Sequence, residues 1–343
     1  SAASDVYKRQ LFGYITDKKS LPAMLPFCAA MAGAGFAFVG WVPAYILLMC
    51  TVVIIGMASA TYHPQASKTV NFLSSDNNKA ANMGIFSLGG NAGMAVGSIL
   101  MAFLLTLPGG LHNTMYFVLP GLLVFGLMMK YMPEYKRVNL EHNLKVQAAK
   151  KSGAVQKIPY GGLALVLFFI FMRSTIHTGL STYLPLFFIN FRNAEPAFAS
   201  MLVSCFLLGG VAGTYVGAVL SDRLGARRII LGSVLCSIPA IWLIANVTHP
   251  AAVLAAVVLA GFSIIGSFAT TTILAQTMLP NNVGMAAGLT IGFSVGMGGF
   301  GVTILGFLAD NYGLPFVMNL MTVLPVIATL TAFKIPVPPQ MQK

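Results

Sequence analysis

The chain has 343 residues, of which 57% are hydrophobic and 8% charged, and its mean hydropathy is +0.81. That much apolar surface exceeds what one aqueous core can hide, so a soluble domain is excluded and lipid is required as solvent. The net charge of +12 sits in short loops between apolar runs, where it reads as membrane topology rather than nucleic-acid binding.

In chain order, residues 1–10 (SAASDVYKRQ) are neither a signal peptide nor a membrane helix, and they are expected to be a non-native leader. Apolar runs then predict membrane helices at 22–41, 44–64, 82–107, 114–131, 160–189, 197–220, 228–246, 251–277, 283–308 and 314–333. Each can cross a hydrocarbon layer of roughly 30 Å, with a kink or split expected at Pro185 in the fifth. The runs are continuously apolar, not alternating, which excludes a membrane β-barrel. Cys28, Cys50, Cys205 and Cys236 fall inside these runs without paired spacing, so they read as packing residues and no metal site is expected.

If residues 11–21 lie in the cytoplasm, then 18 of the 20 Lys and Arg fall on that side, leaving Arg192 in an outside loop and Arg173 within a helix. The asymmetry fixes the expected orientation, with the linker and C-terminus cytoplasmic and the chain multi-pass in a bacterial inner membrane. The polar stretch 132–159 is expected to be a cytoplasmic linker. It divides a partial N-terminal bundle of four helices (11–131) from a six-helix bundle (160–343).

The chain also repeats itself. Gly13-Tyr-Ile-Thr-Asp17-Lys18-Lys19 matches Ala218-Val-Leu-Ser-Asp222-Arg223-Leu-Gly225-Ala-Arg227-Arg228, displaced by 205 residues, and Phe86-Ser87-Leu-Gly89 matches Phe293-Ser294-Val-Gly296, displaced by 207. If each half holds six helices, two more spans are expected before Leu11. A carboxylate at such a boundary can cap a neighbouring helix N-terminus and pair with Arg or Lys, so Asp17, Lys18, Asp222, Arg223, Arg227 and Arg228 are candidate gating residues.

This loop pattern resembles the signature of the major facilitator superfamily, and the resemblance covers essentially the whole chain after Gln10. It implies an all-α integral membrane protein with a two-bundle fold, about ten of twelve helices being present. Three stretches resemble the fosmidomycin-resistance family: Tyr62-His63-Pro64-Gln65-Ala66-Ser67-Lys68; Gly89-Gly90-Asn91-Ala92-Gly93; and Ala275-Gln276-Thr-Met-Leu-Pro280 with Gly284-Met285 and the run from Gly292 to Gly299. The chain departs from that family at Gln65, where an acid is usual, and at Gly97-Ser98, where Gly-Pro is usual. The resemblance implies a proton-driven exporter of small, often anionic or amphiphilic compounds such as antibiotics.

Arg173 lies midway along its predicted helix, where an unpaired cation costs on the order of 3 kcal/mol, and an anion site or a gating partner is expected there. His177 and Ser181 share its helical stripe. His63 precedes Pro64 near the predicted end of the second span, beside backbone loosened by the proline, and Gln276 holds the corresponding position in the other half. Both are candidates for substrate binding or proton coupling, as is Asn91, which is expected to bond between helices. Gly89, Gly93 and Gly97, like Gly292 and Gly296, form smooth faces for close helix packing.

The expected function is secondary antiport by alternating access: a proton enters and a small organic solute leaves. No acid falls deep in the predicted spans, since Glu195 and Asp310 lie at the outside edge. A histidine or the expected preceding helices must then carry the proton. The alternatives are symport of an anionic metabolite with Arg173 as its ligand, and a non-transporting membrane receptor or an integral-membrane enzyme. The receptor or enzyme would need a sensor or catalytic cluster that the longest loop does not offer. No enzyme activity, no cofactor beyond the proton gradient, no nucleic acid and no partner other than solute and lipid are expected, and the chain is expected to be a monomer.

Overall fold

The computed structural model describes residues 23–151 and 159–342. Its helices, in order, are α1 (Met24–Val39), α2 (Tyr45–Leu73), α3 (Lys79–Thr106), a 3-10 turn Gly110–Phe117 leading into α4 (Val118–Lys130), and α5 (Met132–Lys151). Then come α6 (Tyr160–Asn190), α7 (Pro196–Leu224), α8 (Ala226–Asn246), α9 (Pro250–Gly266), α10 (Phe268–Met278), α11 (Val283–Tyr312) and α12 (Leu314–Lys334), with a final 3-10 turn Pro339–Met341. Nine segments among the described residues are long and apolar enough to cross a membrane, α9 and α10 together forming one of them, and α1 is a shorter apolar helix. All ten predicted spans are therefore helical.

Residue chemistry explains the joints. Proline opens α7, α9 and α12, where its missing N–H costs nothing. Gly225 and Gly313 turn α7 into α8 and α11 into α12 at φ of 91° and 83°, a region open to glycine. Pro185 does not split α6, which runs unbroken through it. Proline is tolerated there because neighbouring groups in a bundle take over the freed backbone carbonyl. The break falls instead at Ser267, between α9 and α10. The region 132–151 is a helix rather than a loop, as its Glu, Leu, Lys, Gln and Ala content allows. It is tied to α2 by His142, stacked on Phe72 at 3.9 Å between ring centres.

Packing is uneven. The two large apolar clusters lie among α6 to α12, and a small one, built of Ala80, Met83, Ala218, Ala269 and Ile273, joins α3 to α7 and α10. The tightest pairing is α7 on α9. A β-carbon at Gly209, Gly213 or Gly217 would overlap the carbonyl oxygens of Val258, Phe262 or Gly266, four residues apart on the facing helix, and Gly261 is similarly pressed on Phe206. In lipid, where no hydrophobic force pulls helices together, such close approach is what holds them. All four cysteines are free, but only Cys28 is buried, while Cys50 and Cys236 face outward rather than packing.

Candidate gate and substrate site

The basic loops gather at one end of the helices, and the two halves meet there. Asp222, in the last turn of α7, reaches the start of α3: one carboxylate oxygen accepts from the Ala80 N–H at 3.2 Å, the other from the Ala81 N–H at 2.7 Å. These are first-turn amides without intrahelical acceptors, and Asn78, the α3 cap residue, makes no side-chain bond to them. The anion thus meets the positive end of the α3 dipole across the halves. Beside it, Asp76 and Lys79 form an ion pair at 2.8 Å.

Among the described residues, the predicted loop arginines are placed elsewhere. Arg223 is exposed, Arg228 lies near the Leu224 carbonyl at the end of α7 at 3.4 Å, and Arg227 donates to the Ile335 carbonyl at 3.1 Å, holding the C-terminal tail under the bundle. Met341 of that tail packs on the small cluster that joins the halves. Asp17 and Lys18 lie outside the described residues.

One layer deeper, Gln276 of α10 crosses to α2. It accepts from the Asn71 amide at 2.8 Å and donates to the Ser67 hydroxyl at 2.9 Å, and it is 1% exposed. Ser67 and the buried Lys68 stand in the family-like stretch without an assigned role, and Asn71 lies beyond it, because the second span is predicted to end at residue 64. The helix continues to Leu73. His63 and Pro64 are therefore interior to α2, not at its end, and His63 sits edge-on to Tyr62, one turn before Ser67. Gln276→Leu keeps the side-chain volume and strands Ser67 and Asn71. It is expected to weaken this closed contact by about 1–2 kcal/mol, seen as several-fold faster alkylation, from the basic side, of a cysteine placed at buried Ala269.

A β-carbon at Gly84 would lie 2.7 Å from that of Ala218, yet one at Gly89, Gly90, Gly93 or Gly97 would meet nothing within 4 Å. The expected packing role of Gly89, Gly93 and Gly97 is thus not realised: the smooth face is present, but the described residues put nothing on it. Asn91 is half-buried and finds no hydrogen-bond partner there. Gly292 and Gly296 are buried, and the close approach of α11 to α6 is made by Gly298 and Gly301, against Thr178 and Thr175.

Arg173 is 5% exposed in α6. One terminal nitrogen donates to the Ser294 hydroxyl of α11 at 3.4 Å, the guanidinium lies 5.1 Å above the Phe268 ring that opens α10, and Nε has no partner. Ser174 and Ser294 share a hydrogen bond at 2.5 Å. The predicted stripe does not act together: His177 stacks on Phe206 at 5.6 Å, and the Ser181 hydroxyl is spent on the His177 carbonyl.

Two bundles of apolar helices, joined at the basic end by a charged cap and an amide bridge, define a polytopic membrane protein of the transporter type. The chain belongs to the Major Facilitator Superfamily, whose family model matches residues 10–289 and 163–343. It is 29% identical over 328 residues to the uncharacterized MFS-type transporter YfnC of Bacillus subtilis, covering 94% of this chain and 79% of that protein. It is 27% identical over 326 residues to the fosmidomycin resistance protein of Escherichia coli, covering 94% and 78%. Among solved structures, the fucose:proton symporter FucP in the outward conformation matches with a TM-score of 0.72 at 13% identity, over 98% of this chain and 90% of that one. The human organic anion transporter MFSD10 matches with a TM-score of 0.73 at 13% identity, over 96% and 82%.

Proposed function

We propose that the chain is a proton-driven exporter of a small organic compound, with its basic end in the cytoplasm of a bacterial inner-membrane cell. The observation that carries this reading is the cross-half cap: Asp222 binds the amide ends of α3 at the basic end, while the Gly89–Gly97 face has nothing against it among the described residues. A carboxylate on a helix terminus is a contact that one conformer makes and another breaks, which is what alternating access requires. On this orientation the described conformer is closed to the cytoplasm. Efflux as the direction is supported by the relative named for fosmidomycin resistance.

Proton coupling is the second part of the proposal. Among the described residues the acids Asp76, Glu134, Glu141, Glu195, Asp222 and Asp310 all lie in loops, in α5 or at helix ends. His63 and His177 are the imidazoles within the spans and are proposed as proton carriers. Neither cofactor nor partner chain is invoked, and the unit is proposed to be a monomer.

Everted membrane vesicles test direction and coupling together. With an acidified lumen they are expected to accumulate radiolabelled fosmidomycin, the compound in the relative's name, and to release it when the proton gradient is collapsed. Accumulation only in right-side-out vesicles would instead support uptake, the reading that an anion ligand at Arg173 also fits.

A further inference from the structure

We propose that Arg173, with the Ser294 hydroxyl, forms an anion subsite for the carboxylate or phosphonate head of a transported solute. The site stands at the junction of α6, α11 and the start of α10; it rests on the transport reading and adds the substrate class to it. A buried guanidinium ordinarily gains an acid or several carbonyls. Arg173 has one long hydrogen bond to a hydroxyl, one aromatic face, and an Nε bonded to nothing. No described carboxylate lies within ion-pairing distance of it.

Two further buried hydroxyls without a partner among the described residues, those of Ser267 and Thr270, stand at the α9–α10 break on either side of Phe268. That break gives α10 a free N-terminus within a membrane span, with its positive end beside the Phe268 ring on which Arg173 lies. Interrupted membrane helices present such ends to anionic groups. An oxyanion with two oxygens would take Nε and a terminal nitrogen of the planar fork together, a geometry that Lys cannot reproduce. The Ser174–Ser294 hydrogen bond fixes the hydroxyl at the fork's other edge.

The test follows thermal unfolding of the full chain in detergent while propylphosphonate, butyrate and butyramide, matched in chain length, are titrated in turn. The two anions are expected to raise the melting temperature saturably and the neutral amide not to. R173Q should weaken the anion effect roughly ten- to a hundredfold, R173K should recover only part of it, and S294A should weaken it about threefold. An equal response to butyramide, or an undiminished response in R173Q, overturns the proposal. If R173Q does not fold, head-group selectivity in the wild type and the S294A shift decide.

Phosphatidylglycerol is added as a separate arm: if it abolishes the propylphosphonate effect, the site holds a lipid headgroup and the solute assignment falls. Vesicle transport keeps the two readings apart. Anion binding without transport would leave the subsite and remove the exporter, whereas transport without anion binding would do the reverse.

Discussion

Asp222→Asn is expected to cut transport at least tenfold while leaving the amount of protein in the membrane nearly unchanged. The side chain sits at an aqueous boundary and is half-buried, so its loss leaves no hole in the apolar clusters. What changes is the contact across the halves. The carboxylate receives two amide hydrogens, from Ala80 and Ala81, with its charge on the positive end of α3. Asparagine keeps one acceptor oxygen, loses the charge and turns an N–H₂ donor toward amides that are themselves donors. Charge-assisted bonds of this kind are worth about 1–2 kcal/mol beyond neutral ones, roughly five- to thirtyfold in the balance of conformers. The population closed at the basic end should therefore fall. A cysteine at Ala269, beneath the cap, should be alkylated from the basic side about tenfold faster, whereas Arg223→Gln, which removes an exposed charge beside the same carboxylate, should alter the rate less than twofold. Equal alkylation in wild type and Asp222→Asn would separate this residue from gating.

The sequence carried this contact further than it carried the interior. A 205-residue offset and an Asp at a boundary point to a cap on a neighbouring helix, because the partner is backbone, which every helix start supplies. The spans were legible for a similar reason: bilayer thickness sets their length, whatever they pack against. Gln276 was picked out, but its partners Ser67 and Asn71 were not, because Pro64 was read as an end and a bundle lets a helix run past a proline. Arg173 was found by its charge. Its surroundings depend on Ser294, 121 positions away, and on a helix break at Gly266-Ser267 that apolar composition does not mark. Glycines at spacing four are equally visible at 89–97 and 209–217, yet among the described residues only the second set has a helix against it. Spacing describes a face and says nothing about what lies on it.

That second set gives the larger stability prediction. Gly213→Leu is expected to abolish accumulation of folded protein, and Gly213→Ala to lower stability by about 1–3 kcal/mol. The sign for alanine is informative, because in a helix interior alanine is ordinarily better than glycine by about 1 kcal/mol. At Gly213 the added carbon would overlap the backbone carbonyl of Phe262 in α9, which cannot rotate away as a side chain can. The two helices would have to separate along the whole line of contact, because Gly209 and Gly217 hold the same distance one turn to either side. Gly232 of α8 supplies the comparison: a β-carbon there meets nothing within 4 Å, so Gly232→Ala should be neutral or stabilising. Thermal unfolding in one detergent measures both variants. If Gly213→Ala proves as stable as Gly232→Ala, the contact between α7 and α9 is looser than the carbonyl-on-glycine stacking requires, and shape complementarity along that stripe is not what holds the second bundle together.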